Sequence, residues 1–275
     1  MKIRILLTSA LALVCVLCVL LTSSCCCCIS EEDLDDILDE MGMGDLLGDL
    51  EGTLNGTSTA FLEFRLNEEY FTYAVAGIAE NAPTSIVIPD TYNGYPVTQI
   101  DAYAFENSNI TSITIPPSVM WIGVGAFYNC LYLQSVIFNG ESRLAQICDD
   151  AFYGCSGLNS ITLPASTKQI DDRAFCNCSS LSSVAFGAGT KELTRIGESA
   201  FQSCYSLSYV TIPASVTTIG AYAFSGCNRL EAASFGSTSG WSVYGTYIPA
   251  ESLDTPSIAA YYLVYYTGEW YHGNE

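Results

Sequence analysis

Basic side chains and histidine are scarce in this 275-residue chain, and their scarcity argues against two classes of function. Lys and Arg together number 9 against 29 Asp and Glu, which gives a formal net charge of -20. Binding to nucleic acid needs many basic side chains to neutralise phosphates, so we predict no nucleic-acid partner. The single histidine, His272, stands four residues from the C-terminal end. An enzyme that uses an imidazole base within its main body is therefore nearly excluded.

Charged residues are also few, which separates this acidic chain from disordered acidic proteins. They make up 14% of the sequence, whereas hydrophobic residues make up 49%. Disordered proteins combine high net charge with low hydrophobicity. A chain of this length and composition can bury a sizeable core in one or two domains.

The first 24 residues have the layout of a secretory signal. A basic start precedes an apolar run of 17 residues, from 5 to 21, and the small polar residues 22–24 stand directly before Cys25. This arrangement resembles the cleavage box of bacterial lipoproteins, which implies a signal peptide at 1–24 and a diacylated Cys25 that anchors the chain to the outer leaflet or cell surface. Two alternatives stay open: a signal peptide cut elsewhere, and an uncleaved anchor at the lower limit of spanning length.

Residues 25–60 are predicted to be an acidic tether. Within them, residues 31–51 carry ten acidic side chains and no basic one. One interpretation is a metal-binding loop, and the other is a solvated spacer. A calcium loop needs a fixed order of ligands that is absent here, so we predict a spacer.

The body of the chain is an internal repeat. An Ala-Phe pair recurs six times at spacings of 22, 25, 23, 26 and 23 residues, and in five of the six copies a Cys follows three positions after the Phe. An alternating strand pattern follows in each copy, and an Ile stands four or five positions before each Phe. The repeated aromatic residues are Phe105, Phe127, Phe152, Phe175, Phe201 and Phe224.

A repeat of this length predicts a solenoid. Units of 22 to 26 residues are long enough for one coil but cannot bury their own apolar side chains. Stacking on neighbouring coils buries those side chains, so stability is approximately a sum of interfaces between neighbours. We predict seven strands between residues 85 and 235, in a β-rich curved stack of about seven coils with short 3-10 or turn segments and a cap at both ends.

The repeat resembles a known family. Residues 200–223, AFQSCYSLSYVTIPASVTTIGAYA, are similar to the BspA-like leucine-rich repeats of bacterial surface proteins, and the resemblance covers about 61–235. It implies a leucine-rich-repeat solenoid over 85–235 that is exposed on the cell surface. Some members are similar to adhesins that bind host matrix proteins or other bacteria, although a shared fold does not transfer a ligand.

The segments that flank the repeats are expected to cap them. Residues 61–84 contain two alternating stretches typical of a hairpin and form a predicted N-terminal cap. Residues 236–275 are densely aromatic. They are either a platform for a carbohydrate or protein partner, or a C-terminal cap that packs on Phe235, and we predict the cap because a terminal coil otherwise exposes apolar surface.

The repeated cysteines and two acidic pairs were candidates for chemistry. The cysteines lack a nearby His and a second C-x-x-C pair, so metal binding and nucleophilic catalysis are disfavoured. We predict a column of buried thiols that pack as small hydrophobic groups, while a disulfide between adjacent coils stays open. Asp149-Asp150 and Asp171-Asp172 are either calcium ligands or solvated turn residues, and we predict the latter. No catalytic residue, metal site or cofactor is predicted.

Ligand binding is assigned to the outward face of the strands and to tyrosines in the turns. The middle residue of each strand points away from the core, and these positions are rich in hydroxyl groups. Tyr with Ser, Gly and Asn is typical of adaptable protein-binding surfaces. The alternative is that Thr and Ser merely suit an exposed sheet. The candidate residues are Thr114, Tyr128, Tyr153, Thr162, Tyr209 and Thr211.

Two functional hypotheses follow. The first is a non-enzymatic, adhesin-like binding protein of the cell surface, a monomer anchored to the membrane by its lipid, that recognises a protein or glycan on host or neighbouring cells. The second is a structural or shielding surface lipoprotein without a dedicated ligand. An enzyme is disfavoured because neither a phosphate-binding loop nor a nucleophile-base pair is visible in the sequence.

Overall fold

The structure is a computed structural model that describes residues 59–187 and 189–273. The predicted signal segment, Cys25 and the acidic tether up to residue 58 lie outside the described residues. The described chain is a β-solenoid of about seven turns with little helix, which confirms the predicted fold class.

A short 3-10 turn, Thr59–Phe61, precedes nineteen strands and two helices in the described residues. The helices are α1 (Ala250–Leu253) and α2 (Pro256–Tyr265). The strands are β1 (Leu62–Asn67), β2 (Thr72–Ile78), β3 (Ser85–Val87), β4 (Thr91–Tyr92), β5 (Tyr95–Ile100), β6 (Ser112–Ile115), β7 (Trp121–Ile122), β8 (Ser135–Phe138), β9 (Gln146–Ile147), β10 (Ser160–Leu163), β11 (Gln169–Ile170), β12 (Ser183–Phe186), β13 (Arg195–Ile196), β14 (Tyr209–Ile212), β15 (Thr218–Ile219), β16 (Ala232–Phe235), β17 (Trp241–Val243), β18 (Thr246–Tyr247) and β19 (Trp270–His272).

One strand from each coil belongs to the first row of strands. This row comprises a three-stranded parallel sheet, β3-β6-β8, and a four-stranded parallel sheet, β10-β12-β14-β16. The seven strands are those that the sequence pattern predicts. Their side chains alternate between core and solvent, as Ile113 and Ile115 show: both are buried, whereas Ser112 and Thr114 are partly exposed. We call the outward side of this row the strand face.

A shorter strand from each coil belongs to the second row. The strands β5-β7-β9-β11-β13-β15 pair in parallel, and most are only two residues long. In each two-residue strand, the second residue is the buried Ile of the repeat, as at Ile122 and Ile147, and the first residue faces outward. The hairpin β1-β2 extends this row at one end through β5, and β19, β17 and β18 extend it at the other.

The third side of each coil is a turn centred on the repeated Phe, which we call the Phe turn. The backbone N–H of the Phe donates to the following coil, as from Phe127 to the Ala151 carbonyl and from Phe152 to the Ala174 carbonyl, both at 2.7 Å. The residue two positions before the Phe has a positive φ even where it is not glycine, for example 59° at Tyr103. Such backbone strain costs on the order of 1 kcal/mol and is held in place by this hydrogen-bonded stack.

The repeated phenylalanines form one continuous column in the core, the Phe column. All six rings are buried, and neighbouring ring centroids are 4.9–5.3 Å apart with interplanar angles of 12° or less. Stacked rings at this distance gain energy beyond the apolar area they bury. This column makes the interior of one coil depend on the coils on either side.

The repeated cysteines form a second column, the Cys column, of Cys130, Cys155, Cys178, Cys204 and Cys227. All five are buried and free of disulfides. Each Sγ donates a hydrogen bond to the carbonyl of the Phe in the preceding coil, at distances of 2.9–3.2 Å. The sequence pattern predicts buried thiols and leaves a disulfide between adjacent coils open, but it does not indicate these hydrogen bonds, which tie neighbouring Phe turns together.

Different residue types cover the two ends of the stack. At the N-terminal end, Phe64 of β1 stacks on Tyr92 with 4.0 Å between ring centroids. At the C-terminal end, Trp241 and Trp270 are buried and pack against Phe235. The sequence analysis did not predict helix α2, whose tyrosines are mostly exposed while the tryptophans fill the interior. The aromatic residues of this segment therefore divide between packing and surface.

Candidate functional site

Four of the predicted binding residues lie on the strand face: Thr114, Thr162, Tyr209 and Thr211. Thr114 of β6 is paired with Ile137, Thr162 of β10 with Ala185, and Thr211 of β14 with Ser234. The outward row at this position is therefore hydroxyl-rich, but it is interrupted by Ile137, which is half exposed. These assignments stay predictions.

Tyr209 and Thr211 are brought into direct contact. The Thr211 hydroxyl donates to the Tyr209 hydroxyl at 3.1 Å, and Tyr209 also bonds with the Ser234 hydroxyl at 2.7 Å. The hydrogen bonds from Ser234 and then Thr211 lower the pKa of the Tyr209 phenol. A ligand that binds through these hydroxyl groups must compete with the hydrogen bonds that Tyr209, Thr211 and Ser234 already make with one another.

Tyr128 and Tyr153 form a separate pair. Their rings stack with centroids 4.9 Å apart, and Asn177 donates to the Tyr153 hydroxyl at 2.9 Å. Both residues lie in Phe turns, as do the ionisable neighbours of Tyr128, which are Tyr103, Glu106, Asp150 and Tyr153. The six predicted residues therefore occupy two regions of the coil, the strand face and the Phe turns, rather than one site.

The acidic pairs that were considered as calcium ligands are occupied by internal partners. Arg173 forms an ion pair with Asp150 at 2.6 Å, and Arg195 reaches both Asp171 and Asp172, at 3.2 and 2.7 Å. Asp149 accepts a hydrogen bond from the backbone N–H of Asp172 at 3.0 Å. These carboxylates thus hold adjacent turns together, and the spacing of Arg195 in the sequence does not indicate that it is one of their partners.

A cavity that the sequence analysis did not foresee lies where the N-terminal hairpin meets the second row of strands. It has a volume of about 590 Å³, within the usual range for small-molecule sites. We call it the Trp121 cavity. Its lining includes Arg65, Tyr70, Tyr73, Gln99, Trp121 and Cys148.

Trp121 is an anomaly of the repeat. It is the first residue of β7, and the corresponding residue of the other coils is polar. Its indole is 39% exposed on the outward side of the row, so it is not a core residue. The residues at this position along the row are Gln99, Trp121, Gln146, Gln169, Arg195 and Thr218.

A polar cluster lies beside Trp121. Arg65 donates from Nε and Nη2 to the two carboxylate oxygens of Asp101, at 2.8 and 2.7 Å. Gln99 donates from its side-chain amide to the same carboxylate at 2.8 Å. The guanidinium is therefore neutralised, and its position is fixed by two parallel hydrogen bonds.

The Cys148 thiol faces the same cavity but has no property of a reactive group. Burial, followed by the charges of Asp171 and Asp149, raises its pKa to about 11. A thiol with a raised pKa stays protonated near neutrality and is a poor nucleophile. Cys148 is thus a part of the cavity wall.

Two further features bear on location and chemistry. Among residues 59–187 and 189–273, no helix is both long and apolar enough to span a bilayer. In the same residues, no group of three or more His, Cys, Asp or Glu side chains is arranged to hold a metal ion.

Comparison with known proteins gives the chain its class and then its family. A solenoid that repeats Phe, Cys, Leu and Ile at these spacings is a leucine-rich-repeat protein. The family model described as BspA type Leucine rich repeat region matches six copies over residues 98–231, so the chain belongs to this family. Proteins with BspA-type repeats are commonly associated with the cell surface. A search of curated proteins finds no match.

The chain is similar to several bacterial proteins of known structure. A leucine-rich repeat protein from Bacteroides capillosus is 32% identical, with 46% of this chain and 94% of that chain covered and a TM-score of 0.42. The T. pallidum leucine-rich repeat protein is 26% identical, with 64% and 70% covered and a TM-score of 0.46. The pneumococcal vaccine antigen PcpA is 26% identical, with a TM-score of 0.52. The match covers 65% of this chain and 49% of PcpA, so this chain spans about half the length of PcpA.

Proposed function

We propose that this chain is a non-enzymatic binding protein of the bacterial surface that recognises a protein or glycan in an adhesin-like manner. The observation that carries the proposal is the Trp121 cavity, a concave site with exposed aromatic residues and a fixed ion pair. Such sites, mostly apolar with few polar groups, are typical of ligand binding. The fold does not require an exposed Trp at this position, because polar residues occupy it in every other coil.

The proposal of a non-enzymatic role is supported by the state of three thiols of the Cys column, Cys178, Cys204 and Cys227. Burial raises the pKa of Cys178 and Cys204 well above the usual range and that of Cys227 to about 12. Each of these thiols is also engaged with a Phe carbonyl. Nucleophilic catalysis needs an accessible thiolate, which this environment opposes.

The strand face is proposed as a second recognition surface. Its candidates are Thr114, Thr162, Tyr209 and Thr211, and it is separate from the Trp121 cavity, because the two lie on different rows of strands. A long ligand such as a matrix protein would extend over several coils, whereas a small ligand would occupy the cavity alone. Both surfaces are therefore included in the test.

Binding by the purified full chain to an array of matrix proteins and bacterial or host glycans tests the proposal. We expect saturable binding to at least one ligand. The Trp121→Gln variant would abolish binding through the cavity, and the Tyr209→Ala/Thr211→Ala double variant would abolish binding through the strand face. Failure of the parent protein to bind anything in a broad panel would contradict the proposal and favour a structural or shielding protein.

Anchoring by a lipid on Cys25 is part of the same proposal. It is supported by the signal-like sequence before Cys25, and it suits a family that is commonly found at the cell surface. Metabolic labelling with a fatty acid should label the parent chain and leave the Cys25→Ser variant unlabelled. Equal labelling of both would place the lipid elsewhere, and absence of label from both would contradict a lipid anchor.

A further inference from the structure

We propose that the Trp121 cavity binds a neutral sugar ring, with one face of the ring against the Trp121 indole and its hydroxyl groups toward Arg65 and Gln99. The inference rests on the proposed binding function and names the chemical class of its ligand. Four observations support it: the position of Trp121, the polar groups next to it, the charge of the site and the adjoining aromatic residues.

The first observation is the outward position of Trp121 on β7. A side chain on the outward face of a short strand gains little from packing, and Gln serves at this place in three other coils. A large, partly exposed aromatic surface inside a concavity marks a site for a ligand with an apolar face. The C–H groups on one face of a pyranose ring provide such a face, and Trp offers the largest flat surface against which they can pack.

The polar groups beside Trp121 suit hydroxyl groups. A sugar hydroxyl both donates and accepts hydrogen bonds. The side-chain amide nitrogen of Gln99 donates a hydrogen bond to Asp101. This contact does not involve the side-chain carbonyl oxygen of Gln99, which can accept a hydrogen bond from a ligand. Arg65 uses Nε and Nη2 on Asp101, which leaves Nη1 to donate. A donor and an acceptor are therefore held side by side next to the indole.

The charge of the site selects a neutral ligand. Among the described residues, Arg65 is the one basic side chain that lines the cavity, and Asp101 already neutralises it. An anionic ligand would gain no free cation and would meet the field of a chain with a formal net charge of -20. A cationic ligand would find Asp101 already accepting three hydrogen bonds, from two residues. A neutral, polyhydroxylated ligand meets neither penalty.

The aromatic residues of the hairpin complete the site. Tyr70 is 67% exposed and Tyr73 is half-buried, and both line the cavity together with Asn67. Tyr70 lies in the turn between β1 and β2, while Trp121 lies on β7, so the two aromatic residues approach the cavity from different elements. A ring that enters between them would have aromatic contacts from the repeat and from the cap.

Tryptophan fluorescence offers a direct test because the chain has three tryptophans. Trp241 and Trp270 are 1% exposed within the C-terminal cap, so a ligand-induced change in emission reports on Trp121. The purified full chain is titrated with the neutral sugars tri-N-acetylchitotriose, cellotriose, maltotriose and mannotriose, and with sialyllactose as the anionic comparison. We expect a saturable change with at least one neutral trisaccharide and a weaker response to sialyllactose.

Three variants sharpen the test. Trp121→Gln places the residue of the neighbouring coils in β7. Because this variant lacks the reporting indole, its sugar binding is measured by calorimetry beside the parent, and it should be lost without disturbing the fold. The double variant Trp121→Gln/Gln169→Trp keeps one outward tryptophan on the same row, two coils away, and should not respond to sugar. Arg65→Met keeps much of the apolar stem, removes the hydrogen-bond donors and should weaken binding by about tenfold.

The outcomes separate this inference from the proposed function. Absence of an emission change with every neutral sugar, while the parent still binds a protein or glycan through Tyr209 and Thr211, would overturn the sugar site and leave the binding function in place. Stronger binding of sialyllactose than of every neutral sugar would overturn the charge argument. An equal sugar response from the double variant with the relocated tryptophan would show that the cavity is not the site.

Discussion

The inward and outward columns of this solenoid follow different rules. Inside, each of the six coils that carry the repeated Phe places it at the centre of the Phe turn, and all six rings are buried. Outside, the residue before the repeated Ile changes from coil to coil, among Gln, Trp, Arg and Thr. Inside positions are bounded by two neighbouring coils, whereas outside positions are bounded mainly by solvent. A departure from the repeat inside should therefore cost stability, and a departure outside points to recognition.

The largest expected effect on stability is at the Phe column. Phe175 stacks between Phe152 and Phe201, at centroid distances of 5.1 and 5.2 Å. Phe175→Ala leaves a cavity that both neighbours line, so we expect the free energy of unfolding to fall by about 3–5 kcal/mol in urea denaturation. Phe175→Leu, which refills most of the volume, is the matched control and should lose much less. Equal losses from the two variants would contradict a packed column.

The next effect is the response of the Cys column to alkaline pH. Burial raises the pKa of Cys227 to about 12, while an unfolded thiol ionises near 8.5. Its contribution to stability is therefore complete below pH 8.5 and is lost as the pH rises toward 12. Between about pH 9.5 and 11, the free energy of unfolding of the parent should fall more steeply than that of Cys227→Ala, by roughly 1.4 kcal/mol per pH unit. Parallel pH profiles would show that the thiol is not protected by burial.

A smaller effect, a gain in the free energy of unfolding, is expected at Thr167, a residue inside the stack that departs from the repeat. Thr167 is fully buried, and its hydroxyl has no hydrogen-bond partner within the described residues, whereas the equivalent positions hold Val119 and Val216. Thr167→Val replaces the hydroxyl by a methyl group of similar size. We expect a gain of about 1 kcal/mol in the free energy of unfolding, because an unpaired polar group leaves the core. A loss of stability would reveal a partner for the hydroxyl.

The smallest stability effect is expected at the outward departure. Trp121→Gln should change the free energy of unfolding by less than about 0.5 kcal/mol, as is usual for surface substitutions. The same substitution should abolish sugar binding, so stability and recognition would separate at one residue. A loss of stability as large as that of Phe175→Ala would show that Trp121 serves the fold, and the comparison between inside and outside would fail.

The repeat made most of the fold predictable from the sequence. Period and residue type located the seven strands of the first row and the Phe column, because a coil can bury Phe and Ile only against its neighbours. The hydrogen bonds from the Cys thiols to the Phe carbonyls were not predicted, since they depend on the conformation of the Phe turn. Helix α2 was also missed, although Thr255-Pro256 carries a signal for a helix start, with proline in the first turn.

The candidate site was less predictable than the fold. The Trp121 cavity draws on β1, β2, β5, β7 and the residue after β9, which are brought together only by stacking. One signal was nevertheless present: aligning the residue that precedes the repeated Ile shows Trp at a place where every other coil has a polar side chain. The tyrosines of the Phe turns, by contrast, are abundant along the sequence, and their number alone did not indicate which of them share a surface.

The direction of the hydrogen bonds in the Phe turns has a consequence for both termini. The N–H groups of Phe105, Phe127 and Phe152 all donate toward the next coil, so their peptide dipoles point the same way along the solenoid axis and add. The Phe-turn side of the solenoid therefore has an electrical polarity, with acceptors at the head and donors at the tail, whereas N–H groups after the second-row strands, such as those of Gly123 and Cys148, donate to the preceding coil. At the tail, the Thr267 carbonyl receives the N–H of Tyr222 at 3.0 Å. The two caps are consequently not interchangeable on this side, and any coil added at the tail would have to offer carbonyl groups from its Phe turn to the coil before it.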